Sequence, residues 1–166
     1  SRREYRGRST DVAVSPSGSL LASGSDNTIK LWDATTGKEL TSLQGEGDVT
    51  CMAFSPDGSI LAGGYSNDNI SLWDVVTGQK FRFFEGQTYA VSSIAFSPDR
   101  NVLASGSIDS NFLCVSDTVT GKQVASLQGH SEGITSVAFS RNGTLLASGS
   151  LDETVKLWDV TSGNEL

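Results

Sequence analysis

Short runs of apolar and small residues, each closed by turn residues, recur along this chain with one period. In the last stretch Ile134 to Ser140 (ITSVAFS), Leu145 to Ser150 and Val155 to Asp159 read as strands, joined by Arg141-Asn142-Gly143 and by an acidic turn. Asn-Gly predicts a tight hairpin because both residues tolerate positive φ; Pro56-Asp57-Gly58 does the same work in an earlier stretch. A fourth strand follows each Thr-Gly turn, at Glu39 to Gln44, Lys80 to Phe84 and Gln123 to Leu127. Phe81, Phe83 and Phe84 make the second of these the most apolar, on what would be a sheet edge.

The repeat is explicit in four segments: VSPSGSLLASGSDNTIKLWD from Val14, FSPDGSILAGGYSNDNISLWD from Phe54, FSPDRNVLASGSIDSNFLCVSD from Phe96 and FSRNGTLLASGSLDETVKLWD from Phe139. Trp32, Trp73, Ser116 and Trp158 are spaced by 41, 43 and 42 residues, so four units account for the chain. The FSPDG turn, the LASGS strand, the acidic turn and LWD resemble the WD-repeat β-propeller family. That resemblance implies an all-β propeller of four WD-type four-stranded antiparallel blades, one domain over 1–166 with units near 8–45, 46–86, 87–129 and 130–166.

The phase of the repeat is offset. Gly163-Asn164-Glu165-Leu166 matches Gly37-Lys38-Glu39-Leu40 and stops there, which leaves the last blade one strand short. At the other end Tyr5-Arg6-Gly7 falls where Leu43-Gln44-Gly45 would, so 1–7 is a candidate closing strand. Three arrangements fit: a four-bladed monomer, a dimer forming eight blades, or part of a larger ring. Uncovered edges and apolar faces favour closure through a homo-oligomer.

Composition narrows the function. The net charge is −7, but residues 1–8 carry four Arg and one Glu, leaving −10 on the remainder. An acidic body argues against nucleic acid as principal partner, and the basic arm reads as a solvated terminus. No stretch of eighteen apolar residues exists, so a membrane span is not expected. Two cysteines, one histidine and no CxxC offer too few ligands for zinc; no cofactor is implied. Cys51 replaces a small first-strand residue and reads as a packed thiol, whereas Cys114 stands where other copies have Lys30 and Lys156 and is expected to be partly exposed. Free thiols, with no signal-peptide core in view, point to the cytoplasm. Asn142-Gly143-Thr144 is a glycosylation sequon, but the turn already explains it.

His130, Ser148 and Asp152 would attract a search for a hydrolase. The resemblance implies instead that these three and Trp158 form a buried structural hydrogen-bond chain, with no catalytic residue. The other copies are eroded. The first keeps Ser23, Asp26 and Trp32 without a Gly-His pair; the second has Gly63 for the serine; the third has Gln87 and Ser116 for His and Trp, and its Phe112 is expected to fill part of the lost volume.

Propellers of this kind serve mostly as rigid, non-enzymatic platforms for protein or peptide partners. The loop face the resemblance implies carries Glu46, Asp48, Tyr65, Asn67, Thr88, Tyr89, Ile108, Glu132 and Leu151, with the aromatic and apolar members as anchors. The alternatives are a self-assembling structural propeller and, on Trp and Tyr content alone, a lectin-like binder of small ligands.

Overall fold

The computed structural model describes residues 9–84 and 90–166. Among these residues fifteen strands form four antiparallel sheets. The first sheet holds β1 (Ser9–Val14), β2 (Leu20–Ser25), β3 (Thr28–Asp33) and β4 (Glu39–Gln44). The second holds β5 (Val49–Phe54), β6 (Ile60–Tyr65), β7 (Ile70–Asp74) and β8 (Lys80–Phe84). β9 (Val91–Phe96), β10 (Val102–Ser107), β11 (Phe112–Asp117) and β12 (Gln123–Gln128) make the third. The last has only β13 (Ile134–Phe139), β14 (Leu145–Ser150) and β15 (Val155–Asp159), with a single bridge from Trp158 to Glu165 where a fourth strand would begin. Strands therefore fall where the turn residues predict them, and the last blade is one strand short. The sheets do not close into a ring. The closing strand expected at 1–7 lies outside the described residues.

Each sheet pairs its strands in sequence order, and the first strands of successive sheets, β1, β5, β9 and β13, lie side by side. Three apolar clusters fill the spaces between neighbouring blades. Ile29 and Leu31 of the first blade meet Val49, Met52 and Trp73 of the second; Ile70 and Leu72 meet Val91, Ile94 and Phe96; Leu113 and Val115 meet Ile134, Val137 and Trp158. Close approach depends on a glycine in each second strand. A Cβ on Gly106 would lie 2.4 Å from Cγ2 of Ile134, and one on Gly24 would lie 2.5 Å from Cγ1 of Val49.

The turns explain two signatures of the repeat. In FSPDG and its relatives the serine and the aspartate or asparagine close the loop together: Asn142 Oδ1 accepts from the Ser140 hydroxyl and from the amide and hydroxyl of Thr144. Gly143 alone takes positive φ, at 73°, so this is not the two-residue hairpin expected from Asn-Gly. Arg100 occupies the glycine position of the third copy with φ 58° and ion-pairs with Asp57 across the blade boundary. The aspartate of LWD staples the next turn. Asp33 Oδ1 accepts from the amides of Thr35 and Thr36 and from the Thr36 hydroxyl, and Asp74 and Asp117 repeat the pattern.

Both cysteines are free and buried. For Cys51 this agrees with the sequence, and burial pushes its thiol up to about 12. Cys114 is 5% exposed, contrary to expectation. Lys30 and Lys156 escape the same position by running their stems outward to Glu39 and Glu165, whereas the short thiol stays under the fourth strand, donating to Gln123 Oε1 at 3.6 Å. Phe112 does not fill the space left by the missing indole. It lies on the same strand face as Ser116 but four residues away, roughly 13 Å along the chain.

Gly106→Ala should cost about 1–3 kcal/mol in urea denaturation through overpacking against Ile134, and Gly106→Ala with Ile134→Ala should cost less than the two changes summed. Additive costs would mean that the two residues do not touch. The turn carboxylates of Asp33, Asp74, Asp117 and Asp159 are held below the ordinary range, first by backbone amides of Thr36, Thr77, Thr120 and Ser162. Depressed folded-state values mean that their stabilisation is complete above the unfolded value of about 3.9 and is lost as pH falls through the folded ones. Denaturation midpoints should therefore be level from pH 7 to 5 and drop steeply below pH 4.

Candidate interaction face

The four residues that resemble a catalytic set meet in the last blade. Trp158 Nε1 donates to Ser148 Oγ at 2.8 Å, and Ser148 Oγ lies 2.8 Å from His130 Nε2. His130 Nδ1 lies 2.8 Å from Asp152 Oδ2, which also accepts from the Ser131 amide at 3.0 Å. One proton arrangement satisfies the chain: the serine donates to Nε2 and the Nδ1–H donates to the carboxylate. The Thr154 hydroxyl, then the Ser131 amide and His130, hold Asp152 well below the usual carboxylate range. Ser148 is 1% exposed and His130 3%, so no substrate reaches the hydroxyl. The chain ties β14, β15 and the loop before β13 into one blade. Among the described residues no cluster of His, Cys, Asp and Glu could hold a metal ion.

The other blades are wired differently. In the first, Trp32 Nε1 still donates to Ser23 Oγ at 2.9 Å. In the second, Gly63 offers no hydroxyl and Trp73 Nε1 is buried without a partner. Tyr65 occupies that gap: a Cβ on Gly63 would lie 3.0 Å from its hydroxyl, and one on Gly45 would lie 2.3 Å from its ring. Burial raises the Tyr65 phenol while the neighbouring Trp73 and Ser71 side chains pull it partly back. None of the three polar atoms reaches a hydrogen-bonding geometry. Tyr65, expected as a loop anchor, is thus the last residue of β6 and fully buried. In the third blade the Ser116 position is buried, and Gln87 lies outside the described residues.

The remaining loop residues form two groups. Asn67 Nδ2 donates to the Glu46 carbonyl at 2.8 Å, and the Ser66 amide to the Asp48 carbonyl at 2.9 Å, joining Glu46, Asp48 and Asn67 on an exposed edge. Between the third and fourth blades a groove of about 290 Å³ is lined by Ile108, Asp109, Phe112 and Glu132. Gly133 packs so tightly under Ile108 that a Cβ would lie 1.7 Å from the Ile108 carbonyl oxygen. The Leu151 amide donates to the Gly133 carbonyl at 2.8 Å, which places Ile108, Glu132 and Leu151 together. Ile108 and Leu151 are 50% and 52% exposed. Thr88 and Tyr89 lie outside the described residues.

A signal missed in the sequence is the segregation of charge. Antiparallel order puts the loops 26–27, 45–48, 66–69, 108–111, 129–133 and 151–154 on one edge. They hold eight carboxylates, from Asp26 to Glu153, and no Lys or Arg. On the opposite edge lie Lys38, Arg100, Lys122 and Arg141, which are all the described Lys and Arg outside strands, mixed with Asp57 and Asp99 of the turns and with Asp33, Asp74, Asp117 and Asp159 at the strand ends.

A family model described as "WD domain, G-beta repeat" matches this chain four times, over residues 2–33, 37–74, 78–114 and 121–159. The guanine nucleotide-binding protein subunit beta-5b of Danio rerio is 34% identical over 103 residues, 60% of this chain and 26% of the relative. Cell division cycle 20.1, cofactor of APC complex, of Arabidopsis thaliana is 35% identical over 97 residues, 56% of this chain and 21% of the relative. The small ribosomal subunit protein RACK1y of Oryza sativa subsp. japonica is 35% identical over 97 residues, 57% of this chain and 29% of the relative. The chain spans less than a third of the length of these relatives.

Ser148→Ala should cost about 1–3 kcal/mol, since it strands the Trp158 N–H and the His130 Nε2 in a buried site. Tyr65→Phe removes a hydroxyl that already lacks a partner and should change stability by less than about 1 kcal/mol in the same urea titration. A large loss in Tyr65→Phe would show that the phenol is hydrogen-bonded in solution. Four matched repeats over most of the sequence, with sheets and turns built from the signature residues, place this chain in the WD-repeat family.

Proposed function

We propose that the chain acts as a non-enzymatic protein-interaction scaffold, its loop edge receiving a basic segment of another protein that also inserts an apolar side chain. The observation that carries this reading is the pairing of eight loop carboxylates, without Lys or Arg, with exposed Ile108 and Leu151 beside a groove. The same acidity disfavours nucleic acid. The names of the three relatives, a subunit, a cofactor of a complex and a ribosomal subunit protein, denote components of larger assemblies and support a binding role. Two free, buried thiols fit a reducing compartment, and a cytoplasmic location is part of the proposal.

A second reading is self-assembly, in which a second copy covers exposed apolar side chains such as Val12, Val14 and Val155, at 60%, 59% and 75% exposed.

An array of short peptides graded in charge tests the scaffold reading. Lys- and Arg-rich peptides carrying one large apolar residue should be retained, with retention falling as salt rises. Asp109→Asn with Glu132→Gln should weaken it about tenfold, and Ile108→Ala should do the same without altering the salt dependence. Retention that is indifferent to peptide charge, or unchanged in these variants, would sink the idea.

A further inference from the structure

On the edge opposite the acidic loops, the turns of the second and third blades border an open groove of about 610 Å³. Both blades have a neighbour on each side. Ile60, Phe81 and Val119 give the groove its apolar surface, and Arg82 and Arg100 give it two guanidinium groups. Phe81 sits in a bulge where β8 slips against β7, opposite no residue, and is 45% exposed. Val76 and Val119 hold the same place in the turns after β7 and β11 and are 91% and 70% exposed. The first and last blades have Thr35 and Thr161 there, so exposed valines mark only the two blades that flank the groove.

Arg82 departs from the repeat. By register its place on β4 and β12 belongs to Thr41 and Ala125, both small. The Arg82 stem packs over Gly121, where a Cβ would lie 3.1 Å from its Cδ, and Nη2 donates to the Val119 carbonyl of the third blade. The half-buried guanidinium is therefore held in one place. Its Nε is buried without a partner, and Nη1 makes no hydrogen bond among the described residues. Asp74 and Asp117 form no ion pair with it, since each commits Oδ1 to the amides of its own turn. A fixed, partly desolvated cation without a counter-ion is costly, and an anion in the groove would offset that cost. Arg100, in contrast, is paired with Asp57 and donates to Ser59 Oγ at 2.9 Å.

We propose that this groove docks an acidic segment of a partner protein, a large apolar side chain lying against Ile60, Phe81 and Val119 and a neighbouring Asp or Glu meeting Arg82. The site is separate from the acidic loop edge and does not rest on the function assigned to that edge. Charge complementarity selects the occupant. Among the described residues lining the groove, Arg82 is the cation that lacks a counter-ion, and Asp74 stands nearby. One carboxylate balances that single charge and takes charge-assisted hydrogen bonds from it, whereas a phosphate group of about −2 would leave an excess beside Asp74. Exposed Val76 adds apolar surface on the turn beside the groove, which suits an extended chain rather than a compact small molecule.

An array of short peptides with blocked termini, varying the spacing of one Leu or Phe from one Asp or Glu, tests the groove against the purified chain. Peptides that set the two side by side should be retained over neutral and apolar-free counterparts. Arg82→Thr, which installs the residue of the first blade, should weaken retention about tenfold with unchanged circular dichroism, and Phe81→Ala should do the same. Arg82→Gln replaces the threonine variant if that fails to fold. Lys- and Arg-rich peptides should be retained by Arg82→Thr as by the wild type, so a failure here and a failure at the loop edge are read separately. Retention without preference for the acidic, apolar pair, or unchanged in Arg82→Thr, overturns the proposal. Displacement of the peptide by inorganic phosphate at constant ionic strength also overturns it, by showing a simple anion site.

Discussion

A sheet of four short strands has two faces and cannot bury either by itself, so each blade here depends on a neighbour for its core. The seat is a glycine, and what sits in it is the first residue of the next sheet. Burial along the second strands follows from this. In β6 and β10, with a blade on each side, every residue after the first is buried; in β2 and β14, covered on one side, burial alternates over the middle of the strand. The sheet-to-sheet contact, repeated, decides where the cores lie. The hydrogen-bond chains inside each blade are secondary to it.

That ranking explains how the blades differ so much in their polar wiring while keeping one shape. The last has the full chain from Trp158 to Asp152, and the first keeps the bond from Trp32 to Ser23. The second replaces serine with glycine and folds Tyr65 back over the vacancy, leaving three buried polar atoms unsatisfied. Each loss costs one or two hydrogen bonds, of order 1 kcal/mol apiece, against apolar packing that the whole inter-blade face supplies. Erosion of the signature is therefore tolerable wherever the neighbouring faces remain apolar.

Much of this was legible in the chain. Strand positions followed from turn residues, because Gly and Asx chemistry at a turn is local and carries its own conformational requirement. The polar chain of the last blade was legible because all four residues are present. Tyr65 was not, since an aromatic before Ser-Asn-Asp reads as a loop. The clue was the pair of glycines, Gly45 and Gly63, that clear room for its ring. Cys114 misled because lysine at that position escapes by its length, which a thiol lacks. The charge segregation was readable from six loops but vanished in a whole-chain sum.

That segregation has a kinetic consequence. With carboxylates alone along the loops of one edge and a mixture of cations and carboxylates along the other, charge is uneven across the thickness of the domain, apart from its net charge. In the field of a cationic surface such a body rotates before it touches, so productive orientations become a larger share of collisions at low ionic strength. The acidic loops would then act on the approach as well as on the bound state, over about the 8–10 Å that physiological salt leaves unscreened.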